Sequence, residues 1–88
     1  LDRTFGPAAV VIDDTHVGDA YAVPTDAMYE AVEMCARLEG VLLDPVYTGK
    51  GMAGLIHHVR AGRWSSVDQI VFIHTGGTPA LFAYPELR

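Results

Sequence analysis

The order of segments in this sequence predicts an α/β fold, a small parallel sheet flanked by helices. Three observations point there. Short, almost wholly apolar runs recur at residues 8–12, 41–43 and 69–74, as strands buried on both faces do. Two stretches between them carry apolar residues at helical spacing. The links are short, and strand, helix, strand, helix, strand with short links is the pattern of a helix-covered parallel sheet.

The first run, Ala8-Ala9-Val10-Val11-Ile12, stops at Asp13-Asp14 and reads as a buried strand entering a polar loop. That loop runs to Pro24. Thr25 then has the chemistry of a helix N-cap, and Asp26 and Glu30 suit the positive end of a helix dipole. Met28, Ala31, Val32, Cys35 and Leu38 repeat on one face, which makes Cys35 a core residue. Gly40 stands where a helix ends in the left-handed conformation. Val41-Leu42-Leu43 reads as a second strand, closed by Asp44-Pro45, a turn signal. A second helix is expected after Thr48, with Met52, Leu55, Ile56 and Val59 forming its apolar stripe and Gly62 its stop. Gly51 and Gly54 cost helix propensity but allow close backbone packing. Gln69-Ile70-Val71-Phe72-Ile73-His74 is the clearest strand. It runs into Thr75-Gly76-Gly77-Thr78-Pro79, and a short apolar helix is expected to Tyr84. The whole chain, 1–88, reads as a single α/β segment.

In such sheets ligands bind beyond the carboxyl ends of the strands. Three polar clusters fall there: Asp13 to His16, Asp44 to Lys50, and His74 to Gly77. A parallel sheet would gather all three on one rim. His57 and His58, adjacent on a helix, diverge by about 100° and make no metal pair. Asp13, Asp14 and His16 read as a solvated loop, and Trp64 as an anchor for loop packing or a chain–chain contact.

Composition narrows the function classes. The 88 residues suffice for one small domain. Half are hydrophobic and only 19% are charged, so some apolar surface is expected to meet a partner or further chain. The net charge of −5 and the single lysine, Lys50, argue against nucleic acid, whose phosphates recruit clustered cations. One cysteine permits no internal disulfide and fits a reducing cytoplasm. No apolar run approaches the roughly 20 residues that span a bilayer, and no membrane partner is expected. The start, without Met or a signal pattern, suggests a piece of something longer.

Several spaced motifs, in order, carry a family likeness. Glu39-Gly40-Val41-Leu42-Leu43-Asp44-Pro45-Val46-Tyr47-Thr48-Gly49-Lys50 is one, and Val71-Phe72-Ile73-His74-Thr75-Gly76-Gly77-Thr78-Pro79-Ala80-Leu81 another. Gly54-Leu55-Ile56, Val59-Arg60-Ala61-Gly62 and Tyr21-Ala22-Val23-Pro24 also fit. Over residues 17–84 the chain resembles the C-terminal segment of the pyridoxal-phosphate (PLP) enzymes that include D-cysteine desulfhydrase and 1-aminocyclopropane-1-carboxylate deaminase. The resemblance implies the tryptophan-synthase-β type of fold (fold type II), PLP as cofactor, a small D-amino acid as substrate, and a homodimer. The family's Schiff-base lysine, nucleophilic serine and phosphate cradle fall in segments absent here. Lys50 does not match the Schiff-base position. The isolated chain is therefore expected to be inactive and to need the missing N-terminal part as its partner.

The resemblance also assigns roles. Tyr47 and Tyr21 match two active-site tyrosines; otherwise Tyr47 is a loop aromatic packed on a helix. Thr48 and Thr75 stand where the deaminase branch carries Glu and Leu, and Thr at both is the desulfhydrase pattern. A hydroxyl from Thr75 at the pyridine nitrogen would leave PLP a weaker electron sink than a carboxylate would. That suffices for thiolate loss and disfavours ring opening. Thr48 is placed beside Thr75 and the substrate, and serves equally as a helix N-cap. Gly76, with Gly77, lets the chain turn close to the cofactor ring. His74 reads as a structural histidine, and Thr75 alternatively as an ordinary strand-end hydroxyl. These readings make the chain part of a lyase converting D-cysteine to pyruvate, ammonia and sulfide, with the deaminase as the nearest alternative. A non-catalytic, self-associating α/β fragment is the alternative of another class.

Overall fold

The computed structural model describes residues 4–87. Its frame is a pair of packed helices, α1 (Asp26–Glu39) and α2 (Thr48–Arg60). Short 3-10 helices occur at Pro7–Ala9, Thr78–Ala83 and Pro85–Leu87. The two long helices form where periodicity and capping predict them. The Thr25 hydroxyl accepts from the Met28 N–H at 3.1 Å, and Gly40 closes α1 at φ 65°, the left-handed conformation glycine adopts without a Cβ clash.

The sheet does not form, and this corrects the α/β expectation. Among the described residues there is no strand. Residues 8–12 give a 3-10 turn over Pro7–Ala9 and then irregular chain, while 41–43 and 69–74 have no regular structure. A strand is held by a backbone ladder to a neighbour about 4.8 Å away. Here no backbone hydrogen bond among the described residues joins any of the three runs to another. The Leu42 carbonyl is taken instead by side chains, His74 Nε2 at 2.8 Å and the Thr78 hydroxyl at 3.3 Å. Side chains tie the segments together, so no ladder propagates. Their apolar residues stay largely in solvent: Ile12 is 87% exposed and Val71 84%.

The core lies between the helices. Met28 and Val32 of α1 and Leu43 are buried, with Tyr29, Cys35, Met52, Phe72, Leu81 and Leu87 against them. Leu38, expected on the inner face, is exposed. In α2 the buried positions are Thr48, Gly49, Lys50, Ala53 and Gly54, shifted from the expected stripe, and Val59 is exposed. Gly49 explains the shift. A Cβ there would come within 2.5 Å of the Asp44 carbonyl oxygen, 2.9 Å of Val32 Cγ2 and 3.0 Å of Met28 Cγ. The helices meet at backbone distance, so the smallest residues take the contact and the bulkier stripe is turned aside.

The chain exposes 6691 Å², against about 5,000 Å² for a folded monomer of this mass. Its radius of gyration is 14.5 Å, where about 12 Å is usual for this length. Exposed apolar residues of the runs without a ladder, such as Ile12, Val71 and Ile73, contribute to this excess.

Candidate functional site

A cleft of about 370 Å³ opens between the loop before α1 and the start of α2, lined by His16, Val17, Tyr21, Val46, Tyr47 and Lys50 among others. Its main feature joins positions 26 residues apart. The hydroxyls of Tyr21 and Tyr47 are 2.8 Å apart, with ring centroids 6.0 Å apart at 59°. Both rings are more than half exposed. The shared hydrogen bond with Tyr21, with Tyr21's charge and partial burial beside it, raises the Tyr47 pKa above the usual phenol value of 10.0. Tyr47 is therefore protonated at neutral pH, and its hydroxyl is available as a hydrogen-bond donor.

Asp44 holds the turn that presents Tyr47. Its carboxylate is fully buried. It accepts from the N–H groups of Val46 (2.8 Å), Tyr47 (2.7 Å) and Thr48 (2.8 Å) and from the Thr48 hydroxyl (2.6 Å). These are N–H groups of the first turn of α2 and its entry, which have no partner within the helix. Burial pushes the Asp44 pKa up, but the Thr48 hydroxyl and the three backbone donors overcome it and the net shift is downward from 3.8. The Thr48 hydroxyl also accepts from the Asp44 N–H at 2.8 Å, so its position is fixed by Asp44 on both sides.

The third expected turn arrives at the far side of the same carboxylate. Gly77 has φ 92°, and a Cβ on it would lie 2.9 Å from Asp44 Cγ. Only glycine meets both conditions. Thr75 is exposed, and both it and Gly76 lie outside the cleft lining. The Gly76 N–H donates to His74 Nδ1 at 3.1 Å. Because His74 Nε2 must donate to the Leu42 carbonyl, these two bonds fix one tautomer and give His74 a structural job. The structure thus brings Tyr21 and Tyr47 together and holds Thr48 on Asp44, and it leaves Thr75 and Gly76 outside the cleft lining.

A second cluster flanks the cleft. His58 Nε2 lies 2.7 Å from Asp13 Oδ2, and the Asp13 carboxylate also takes both the hydroxyl and the N–H of Thr15. These bonds, the Thr15 hydroxyl first, hold the Asp13 pKa far below 3.8. Trp64 packs edge-on to His58 at 5.8 Å. His58 thus clasps the loop to α2.

Sequence reasoning read Asp44 as a turn former, with orienting the site as its second role, and gave Lys50 no role. Lys50 is 7% exposed, and its ammonium donates to the carbonyls of Val17 at 2.6 Å and Ala20 at 3.2 Å. Being the chain's lone lysine was the available signal.

A family profile described as "Pyridoxal-phosphate dependent enzyme" matches residues 2–76. The chain belongs to this PLP-dependent enzyme family. It is 47% identical over 87 residues to a 1-aminocyclopropane-1-carboxylate deaminase of Burkholderia vietnamiensis, covering 99% of this chain and 26% of the relative. A protein of the same name from Burkholderia ambifaria is 46% identical over the same length and coverage. The chain spans about a quarter of the length of the curated relatives it matches. The cofactor of this family is PLP, and the residues present fit one side of it. The cleft is open, and the Tyr21 and Tyr47 side chains that line it are more than half exposed. The anchoring amine is another matter, since Lys50 Nζ is buried and committed to two carbonyls. Among the described residues no helix is long and apolar enough to cross a membrane.

Proposed function

We propose that this chain supplies the substrate-facing wall of a PLP-dependent lyase acting on D-cysteine or a similar β-substituted D-amino acid, the anchoring lysine coming from elsewhere in a longer enzyme. The observation that carries the reading is the Tyr21–Tyr47 hydroxyl pair at 2.8 Å on the open cleft. When bound, PLP supplies the electron sink for breaking bonds at the substrate α-carbon. Tyr47 Oη keeps its proton at neutral pH and would donate a hydrogen bond to the departing sulfur, and Tyr21 Oη, bonded to it, orients that donor. Asp44 keeps Tyr47 in place through its backbone N–H. By the family likeness the Thr75 hydroxyl would hold the pyridine nitrogen, although in this chain it is exposed and outside the cleft lining.

Threonine at 48 and 75 supports the desulfhydrase over the deaminase. The deaminase is the second reading, favoured by the names of the 47% and 46% identical relatives. The structure adds a physical point to the choice. A glutamate at 48 would bring a second carboxylate against the buried Asp44, and like charges at close range disfavour each other's ionisation.

In the intact enzyme, Thr75→Leu is expected to slow D-cysteine breakdown by about tenfold, about the loss of one hydrogen bond to a polar ring atom. Thr48→Glu with Thr75→Leu is expected to move preference towards ring opening. Thr75 is exposed, so the single variant folds and tests the idea even where the double does not. An unchanged ratio of the two activities in both variants would overturn the hydroxyl argument. The purified 88-residue chain is expected to release no pyruvate from D-cysteine, since its one lysine amine is buried and occupied. Pyruvate above background would contradict this.

A further inference from the structure

We propose that Lys50 is a positioning residue whose buried ammonium clamps the Tyr21 loop to α2 and so sets the Tyr21–Tyr47 contact. The inference rests on the reading of the tyrosine pair as the working edge of the site. The loop has little else to hold it. Val17, Tyr21 and Val23 are exposed, and none belongs to the core. Gly18 sits at φ 80°, with room for no side chain because Thr25 Cγ2 would lie 2.5 Å from its Cβ. Ala22 has φ 62°, a conformation that costs an L-residue of order 1–2 kcal/mol. A loop in such a shape persists only where its surroundings over-determine it.

Three residues from the rest of the chain do so. Lys50 Nζ donates to the Val17 and Ala20 carbonyls, which bracket the turn. The Tyr84 hydroxyl donates to the Ala22 carbonyl at 2.5 Å. The third is Tyr47, in its contact with Tyr21. Only Lys50 among these is buried, and no carboxylate pairs with it among the described residues. A buried cation without a counter-ion is costly unless its hydrogen bonds are satisfied. The ammonium therefore holds the two carbonyls as firmly as they hold it. Lys50 lies in the first turn of α2 and Tyr47 is the N-cap residue three positions before it, and both line the same cleft. The clamp and the tyrosine it serves thus share one rigid element.

The test uses Lys50→Met in the intact enzyme, read first by hydrogen exchange. Exchange across residues 17–23 is expected to rise by about tenfold or more, with α1 unchanged. Unchanged exchange in the loop, or an equal rise through α1, would overturn the clamp. This readout is independent of catalysis, so it stands or falls apart from the lyase reading. The second readout is a cycle with Tyr21→Phe. Lys50→Met is expected to lower kcat by about tenfold in the parent and by less than about twofold in the Tyr21→Phe background. Equal losses in both backgrounds would overturn action through Tyr21. If Lys50→Met does not fold, Lys50→Arg, which keeps the donors, is expected to retain loop protection, and its loss there would count against the clamp.

Discussion

Gly49→Ala is expected to destabilise the chain by about 3 kcal/mol, the upper part of the range for overpacking a well-filled contact. The added methyl meets three atoms, and the nearest is a backbone oxygen, Asp44 O at 2.5 Å. That oxygen cannot step aside, because it accepts the Gly49 N–H at 2.7 Å. The helices would have to separate and uncover Met28 and Val32. A domain of this length has roughly 4–13 kcal/mol in total, so the change removes a large share. Gly51→Ala, two residues on, is the control. Its Cβ would find only the Phe72 ring at 3.7 Å, ordinary contact, and the helix would gain up to about 1 kcal/mol from alanine. Urea melts of the 88-residue chain followed by circular dichroism should move in opposite directions. Equal midpoints would mean that the helices do not cross at Gly49.

Asp44→Ala is expected to cost a similar amount, about 3 kcal/mol, by a different route. It strands the N–H groups of Val46, Tyr47 and Thr48 and the Thr48 hydroxyl together, and hydrogen bonds to a charged acceptor are worth more than neutral ones. Asp44→Asn should lose less, since its amide oxygen still accepts while its NH2 faces donors. The parent protein should show the same dependence on pH. The native Asp44 pKa is lowered from 3.8, so its contribution is complete above that value and fades as pH falls below it towards the lowered native pKa. Asp13, lowered in the same sense, adds to acid lability but is a surface group and contributes less. An acid-unfolding midpoint that does not move in Asp44→Asn would remove Asp44 from this account.

Both helices were legible in the sequence because their signals are local. Thr25, Gly40 and the 28–31–32 spacing need no knowledge of distant chain. The sheet was misread because a strand is a property of pairs. The apolar run at 69–74 is strand-like in composition, yet its backbone finds no ladder here and His74 fastens it to Leu42 instead. At the site, motif likeness singled out Tyr21 and Tyr47, and these two share a hydrogen bond. The scaffold behind them was not legible. Asp44 resembles any turn aspartate until its four donors are seen, and Lys50 resembles a surface lysine until the loop closes over it. Sequence spacing carries no record of burial for a polar residue.

Helix α2 is approached from three bearings through its glycines. The Asp44 carbonyl and α1 meet Gly49, Phe72 lies over Gly51, and His16 sits 3.2 Å from where a Cβ on Gly54 would be. The helix is thus a central post with neighbours pressed to its bare backbone, and two of these three places have no slack for bulk. Change that alters what such an enzyme accepts is thereby channelled away from the post and onto its periphery. Thr75 stands there, solvent-facing and displaced from the crossing, free to vary without disturbing the column that carries Tyr47.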